Sequence, residues 1–388
     1  MRPLTVPKRL IKRCAQLTYY LYASVMIPLL YAYAHRLGEL RYLSDEDHRI
    51  WKQAMKHMLK EHVRSGYSSR LNELIPEFAT VKIHAVRITD SFISSKPTVV
   101  LCVKNDKRRI RMLVEHYRKL GICQFAFLDN GSTDGTLEWL LEQPDIDIYS
   151  TSNRYSSFRK EAWINRIVSY YGFERWFLLT DSDELVVYIG MESHPFNSVL
   201  KYAEKHNISR IKGLTLDMYA NGAIFSGGND ADIQSKYCWS DSDSFLEEER
   251  VIGNSKLSFF TGGPRYRAMN VKTSLSKYPL IYFTKGMISE NAHFQYPYQP
   301  AVDAPCYFGI LHYKFLDEDK KTYRERGDKM SGFARGGDDY RRYMSMAECD
   351  SEASFIYEGS VKYTDSSCLQ KMPWIEAIHF TGERDAQQ

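Results

Sequence analysis

No two of the seven cysteines, at positions 14, 102, 123, 238, 306, 349 and 368, stand at C-x-x-C spacing, and their number is odd. That spacing gives neither a zinc site nor a disulfide framework, and it suits a reducing compartment. Charge of one sign is also lacking: 52 Lys and Arg face 48 Asp and Glu, a net of +4. Lys107-Arg108-Arg109 is a short cluster opening an amphipathic helix, with no recognition module beside it, so no nucleic-acid partner is expected. No internal repeat is visible. No small-residue cleavage site follows the N-terminal apolar stretch, so a signal peptide is not expected. That stretch, residues 14–34, is uncharged and long enough to span a bilayer, yet it carries Gln16, Pro28 and five tyrosines and has no solid apolar centre. Lys8, Arg9, Lys12 and Arg13 precede it. Tyrosine-rich apolar surface beside a basic cluster fits a helix lying in an anionic membrane interface, or one docked on the protein itself.

What is present is concentrated in residues 99–184. Three apolar runs, Val99–Val103, Phe125–Leu128 and Trp176–Leu179, each stop at a polar, carboxylate-bearing loop. Short apolar runs bounded by turn signals read as buried strands. Helical patterns separate them, over 111–120 and 159–171, which predicts β-α-β-α-β and a parallel sheet. Ligands of such sheets bind outside the carboxyl ends of the strands. Those ends hold Asn105, Asp129, Asn130, Asp181 and Asp183.

Along the chain, residues 1–43 form the basic, tyrosine-rich helix and 44–95 a helical and strand lead-in. Residues 96–330 are expected to form the main α/β domain, divided at 185/186 into a half bearing the strand-end carboxylates (97–185) and a second half (186–330). Residues 331–388 form a C-terminal extension. Residues 221–263, rich in Gly, Ser, Asp and Asn, read as a long irregular insertion.

Asp181-Ser182-Asp183 follows an apolar strand. Two carboxylates there can reach one hard divalent cation, Mn²⁺ or Mg²⁺, which would neutralise a diphosphate leaving group. His312 follows another apolar strand and is the candidate third ligand, through a neutral imidazole; His293 has the same setting. Asp129-Asn130, before Gly131 and Ser132, can take donors from a base or ribose, and Asn105 sits similarly. Arg265 and Arg267 follow two glycines and, with Lys277, are candidates for phosphate oxygens.

These residues resemble the family 2 glycosyltransferases of the GT-A fold, in the bacterial subgroup with Val-Lys-Asn-Glu/Asp, Asp-Asn-x-Ser-x-Asp-Gly-Thr and Asp-x-Asp-Glu. Here the motifs are Val103–Asp106, Asp129–Thr136 and Asp181–Glu184, with Glu115–Gly121 a looser fourth. The resemblance covers residues 97–315. It implies a doubly wound, mostly parallel sheet with helices on both faces, a UDP- or GDP-sugar donor, Mn²⁺ or Mg²⁺, and inversion at the anomeric carbon. It places the nucleoside at Asp129 and the metal and diphosphate at Asp181 and Asp183. The Glu-Asp pair that usually supplies the base is not found after Asp183, which leaves Asp241, Asp217 and Glu290 as candidates. A glycan or lipid-linked acceptor at the inner face of the cytoplasmic membrane, in surface polysaccharide or lipopolysaccharide synthesis, would suit the basic N-terminus. A sugar nucleotidyltransferase is the runner-up, though Val103-Lys104-Asn105-Asp106 is not its Gly-rich basic loop. A non-catalytic binding protein on a degenerate scaffold is the other alternative.

Overall fold

The computed structural model describes residues 45–65, 77, 81–89, 93, 95–225, 232–328 and 337–380, with positions 18, 21 and 25. The N-terminal segment expected at the membrane lies outside the described residues, apart from Thr18, Leu21 and Val25, which are helical and exposed. Among the described residues no helix is long and apolar enough to cross a membrane.

Among the described residues, nine strands build the central sheet. They are β1 (His84–Arg87), β2 (Thr98–Val103), β3 (Phe125–Asp129), β4 (Ile146–Ser150), β5 (Arg175–Leu179), β6 (Glu184–Val187), β7 (Arg210–Asp217), β11 (Ser276–Phe283) and β14 (Cys306–His312). Their order is β1-β4-β3-β2-β5-β11-β7-β14-β6. Strands β2, β3, β4, β5, β7 and β14 run one way, while β1, β6 and β11 run the other. The expected α/β class with a mostly parallel sheet is what the structure shows.

Helices α1 (Asp45–Ser65), α2 (Lys107–Lys119), α4 (Ser157–Tyr171) and α5 (Phe196–Lys205) cover both faces. Alternation along the strands divides the core between them. Val99, Leu101 and Val103 pack with Ile110, Leu113 and Tyr117 of α2 and with Val199 and Leu200 of α5. Val100, one residue away, packs on the other face with Ala162, Trp163 and Ile167 of α4 and Trp51 and Met55 of α1. Truncating a central side chain such as Phe127 to Ala would cost about 3–5 kcal/mol. Helix ends follow local chemistry. Gly121 stops α2 in the left-handed region, at φ +83°. The Ser156 hydroxyl accepts from the Arg159 N–H at 3.1 Å and caps α4.

The 221–263 stretch is not irregular throughout. Beyond residues 226–231, which lie outside the description, it contains α6 (Ile233–Lys236), β8 (Trp239–Asp241) and a hairpin of β9 (Phe245–Ile252) with β10 (Ser255–Gly262). Only the first and last residues of β9 are buried, and a Glu-Glu-Glu-Arg run lies between them, so no alternation marks the strand in the sequence. The remaining α-helices and strands of the described residues are α3 (Thr136–Leu141), α7 (Gly263–Met269), β12 (Ile288–Asn291), β13 (Phe294–Tyr296), α8 (Asp319–Asp328), α9 (Asp338–Cys349) and β15 (Ser360–Lys362).

The segment expected as a C-terminal extension reaches into the core. Leu369, Met372, Ile375, Ile378 and Phe380 join the cluster that contains Leu214, Leu216 and Ile310. Gly309 of β14 permits this closeness, because a Cβ there would lie 2.8 Å from Leu369 Cδ2 and 3.1 Å from Val187 Cγ2.

Candidate active site

The parallel strands bring their carboxyl ends to one edge of the sheet. Asn105 and Asp106 follow β2, Asp129 ends β3, Asp181 follows β5, Asp217 ends β7 and His312 ends β14. Strand β6 starts back from that edge at Glu184. Antiparallel register sets Glu184 opposite His312, and parallel register sets His312 opposite Asp217. Three chemistry-bearing side chains therefore stand in a row across β6, β14 and β7. The Tyr313 N–H donates to the Asp183 carbonyl at 2.8 Å and ties Asp183 to the end of that row.

His312 is held from both sides. Its Nδ1 lies 2.6 Å from Asp217 Oδ1, and its Nε2 lies 3.2 Å from Asp183 Oδ2. Burial alone would lower the imidazole pKa, but Asp183 and Asp217 outweigh it and raise it. Burial likewise opposes ionisation of Asp183, yet His312 and then Lys314 hold its carboxyl well below the usual range. One ligand atom each from Asp183, Glu184 and His312 lie within 4.8 Å of one another. Two carboxylates and an imidazole suit Mn²⁺, and an oxygen-rich variant of the same geometry suits Mg²⁺. Asp217 behind the imidazole is the kind of carboxylate partner that orients a metal-ligating histidine. The donor set fits a divalent cation.

Asp181 has different neighbours. Lys160 of α4 donates to its Oδ1, and Lys277 of β11 donates to its Oδ2 at 2.9 Å. Lys277 also donates to Glu184 Oε1 at 2.5 Å. Burial would raise the Asp181 pKa, but Lys160 and Lys277 depress it below the usual carboxylate range. Ser182, between the two aspartates, donates to Asp106 Oδ2. Asp106 in turn accepts from Arg109, which forks onto Asp319 and reaches the Tyr313 carbonyl at 2.8 Å. This chain fastens the Asp181–Asp183 loop to the tips of β2 and β14.

At the tip of β3, Asp129 Oδ2 accepts from the N–H groups of Gly131 and Ser132 at 2.9 and 3.0 Å. Its other oxygen, Oδ1, is buried without a hydrogen-bond partner. An unpaired buried carboxylate oxygen is costly, so it marks a position where a donor would be stabilising. Asn130 donates to the Thr151 and Asn153 carbonyls, and Asn105, at φ +51°, accepts from the Thr133 N–H at 2.7 Å. Both organise the loop around Asp129.

Other candidates from the sequence are drawn into the protein. Arg265 and Arg267 lie on α7, not on an open loop. Arg265 Nε donates to Asp217 at 2.7 Å, and Arg267 forks onto both oxygens of Asp241 at 3.0 Å each. His293 Nδ1 lies 2.7 Å from the Ser276 carbonyl, and burial followed by Lys277 lowers its pKa to about 4.

The three carboxylates considered as the base do not converge. Asp217 is engaged by His312 and Arg265. Asp241, fully buried, accepts from Tyr219, Ser244 and Arg267. Glu290 accepts from Tyr298 at 2.5 Å and from Asn291 at 3.2 Å. Each accepts a hydrogen bond or ion pair on both oxygens, and Asp217 joins the row behind His312 while Asp241 and Glu290 are engaged elsewhere. Sequence reasoning did not single out Lys160, whose place on a helix gives no local signal, and named Glu184 only as the end of the Asp-x-Asp-Glu motif.

No family profile matches the chain, and no curated protein does. Among solved structures it is similar to glucosyl-3-phosphoglycerate synthase from Mycobacterium tuberculosis in complex with Mn²⁺, UDP and glucosyl-3-phosphoglycerate. Identity is 18% and the TM-score 0.23, over 31% of this chain and 44% of that one. It is also similar to a mannosyltransferase from Pyrobaculum calidifontis in complex with GDP-Man and Mn²⁺, at 15% identity and TM-score 0.25, over 44% of this chain and 47% of that one. The chain thus spans less than half the length of either structure. Overlaps this partial leave the functional reading to the site's own geometry.

Proposed function

We propose that the protein is a glycosyltransferase of GT-A type that moves a sugar from a UDP- or GDP-sugar to a hydroxyl acceptor with the help of Mn²⁺ or Mg²⁺. The observation that carries this reading is the convergence of Asp183, Glu184 and His312 at the carboxyl edge of the sheet, with Asp217 behind the imidazole. Asp183, Glu184 and His312 would hold the cation, which when bound supplies positive charge against the departing diphosphate. Asp217 fixes the imidazole so that Nε2 faces the site. Asp129 offers its unpaired oxygen to a donor on the nucleoside. The runner-up, a sugar nucleotidyltransferase, would release pyrophosphate from a nucleoside triphosphate.

The deciding experiment incubates the protein with a panel of nucleotide sugars and Mn²⁺ and measures free nucleoside diphosphate. Release from one UDP- or GDP-sugar, abolished by chelation, is the expected result. Release of pyrophosphate from a triphosphate plus a sugar 1-phosphate, with none from any nucleotide sugar, would replace this reading with the runner-up. We further propose a glycan or lipid-linked acceptor, and peripheral attachment at the cytoplasmic membrane face through residues 1–36. Deleting those residues should move the protein from the membrane pellet to the supernatant. A full-length protein found wholly in the supernatant would defeat the attachment.

A further inference from the structure

Lys160 and Lys277 come from separate elements, α4 and β11, and meet on one carboxylate. Their side chains are 13% and 12% exposed, so neither is a solvated surface lysine that happens to lie near an acid. Lys277 also grips Glu184, a member of the candidate metal group. The two ammonium groups are matched by the carboxylates of Asp181 and Glu184, with Glu161 beside Lys160 and Asp183 beside Asp181. A divalent cation arriving alone beside Glu184 meets an ammonium group already on that carboxylate. Like charges in a site of reduced dielectric repel strongly. A diphosphate arriving with the cation changes this, because its oxygens offer both ammonium groups new partners of the same sign as Asp181.

Building on the donor and metal reading above, we infer that Lys160 and Lys277 are exchangeable counter-ions: they hold Asp181 in the donor-free protein and pass to the diphosphate when a nucleotide binds. Asp181 then serves as a stand-in for the phosphate charge. Cation and nucleotide binding become mutually dependent, and the coupling is the same read from either ligand.

The test is titration calorimetry on the full chain with Mn²⁺ alone, and with Mn²⁺ at saturating UDP or GDP. The proteins are the wild type, Lys160→Met, Lys160→Arg and Lys277→Met. The wild type should bind Mn²⁺ at least about tenfold more tightly with nucleotide than without, in the usual range of coupling between sites. Lys160→Met should bind Mn²⁺ alone more tightly than the wild type and bind nucleotide more weakly, so that the coupling shrinks to about twofold or less. Lys160→Arg, which keeps the charge, should retain the coupling. Lys277→Met should behave like Lys160→Met, and Lys160→Met remains decisive if removing the Glu184 partner prevents Lys277→Met from folding. Thermal melts confirm that each protein is folded. Folded Lys160→Met with unchanged coupling overturns the inference while leaving the donor reading intact. A wild type that binds neither Mn²⁺ nor nucleotide overturns the donor reading and the inference with it.

Discussion

Asp181 and Asp183 are two residues apart on one loop, yet they belong to different electrostatic circuits. Asp183 faces His312, with Asp217 and Arg265 lined up behind it. Asp181 faces two lysines. Both carboxyl groups are held ionised against burial, one by an imidazole and the other by ammonium groups. The contrast shows that the two carboxylates of this Asp-x-Asp motif are not a symmetric pair. The strands that happen to lie beside each aspartate decide what it can do.

The comparison can be broken most severely from behind. Asp217→Ala should remove the partner of both Arg265 and His312 and leave a buried guanidinium without its counter-ion, at a cost of about 3–5 kcal/mol. Denaturant unfolding reads this directly, and a loss under about 1 kcal/mol would mean Asp217 is not holding the row together.

Next in size is Asp183→Ala. It should weaken Mn²⁺-dependent UDP or GDP binding by about 100-fold, near 3 kcal/mol, with the melting temperature little changed. Equal nucleotide affinity in the variant would place the cation elsewhere.

The lysine side can be sharpened through Glu161, the neighbour of Lys160. Burial pushes its carboxyl from 4.5 up to about 7, against the opposing pull of Lys160, while Ser289 donates to it. The folded protein therefore takes up a proton. This stabilisation is complete below pH 4.5 and is lost as pH rises through 7. Glu161→Gln should be about 2 kcal/mol more stable than the wild type at pH 8 and nearly equal to it at pH 4, read from unfolding midpoints. A constant difference across that range would show that Glu161 does not titrate there.

The smallest effect belongs to an ion pair outside both circuits. Arg324 and Glu348 meet at 2.7 Å with side chains 61% and 51% exposed, and a double-mutant cycle should give a coupling below about 0.5 kcal/mol.

Much of this was legible in the residues themselves. Parallel strands buried on both faces read as unbroken apolar runs, so β2, β3 and β5 and their terminal carboxylates stand out, and Gly121 marks the end of α2. The other half hides its logic in pairing. Strand β11 enters antiparallel between β5 and β7, far from its neighbours in sequence, and only that insertion brings Lys277 to Asp181. Lys160 sits on a helix with no motif around it. Arg265 and Arg267 looked available because glycines precede them, but those glycines open a short helix that turns both forks onto buried aspartates. Residue type announced the carboxylates, and long-range register assigned their partners.

The seating of Leu369 against Gly309 has a consequence for how the chain matures. The strand that ends in His312 lacks part of its apolar cover until residues 369–380 are made, because Leu369 packs against its Gly309 and the residues after it complete the same cluster. The β-α-β units precede those residues in the sequence, whereas the core beneath the row of Glu184, His312 and Asp217 includes them. A protein cut before residue 366 would expose an apolar seam beside the row.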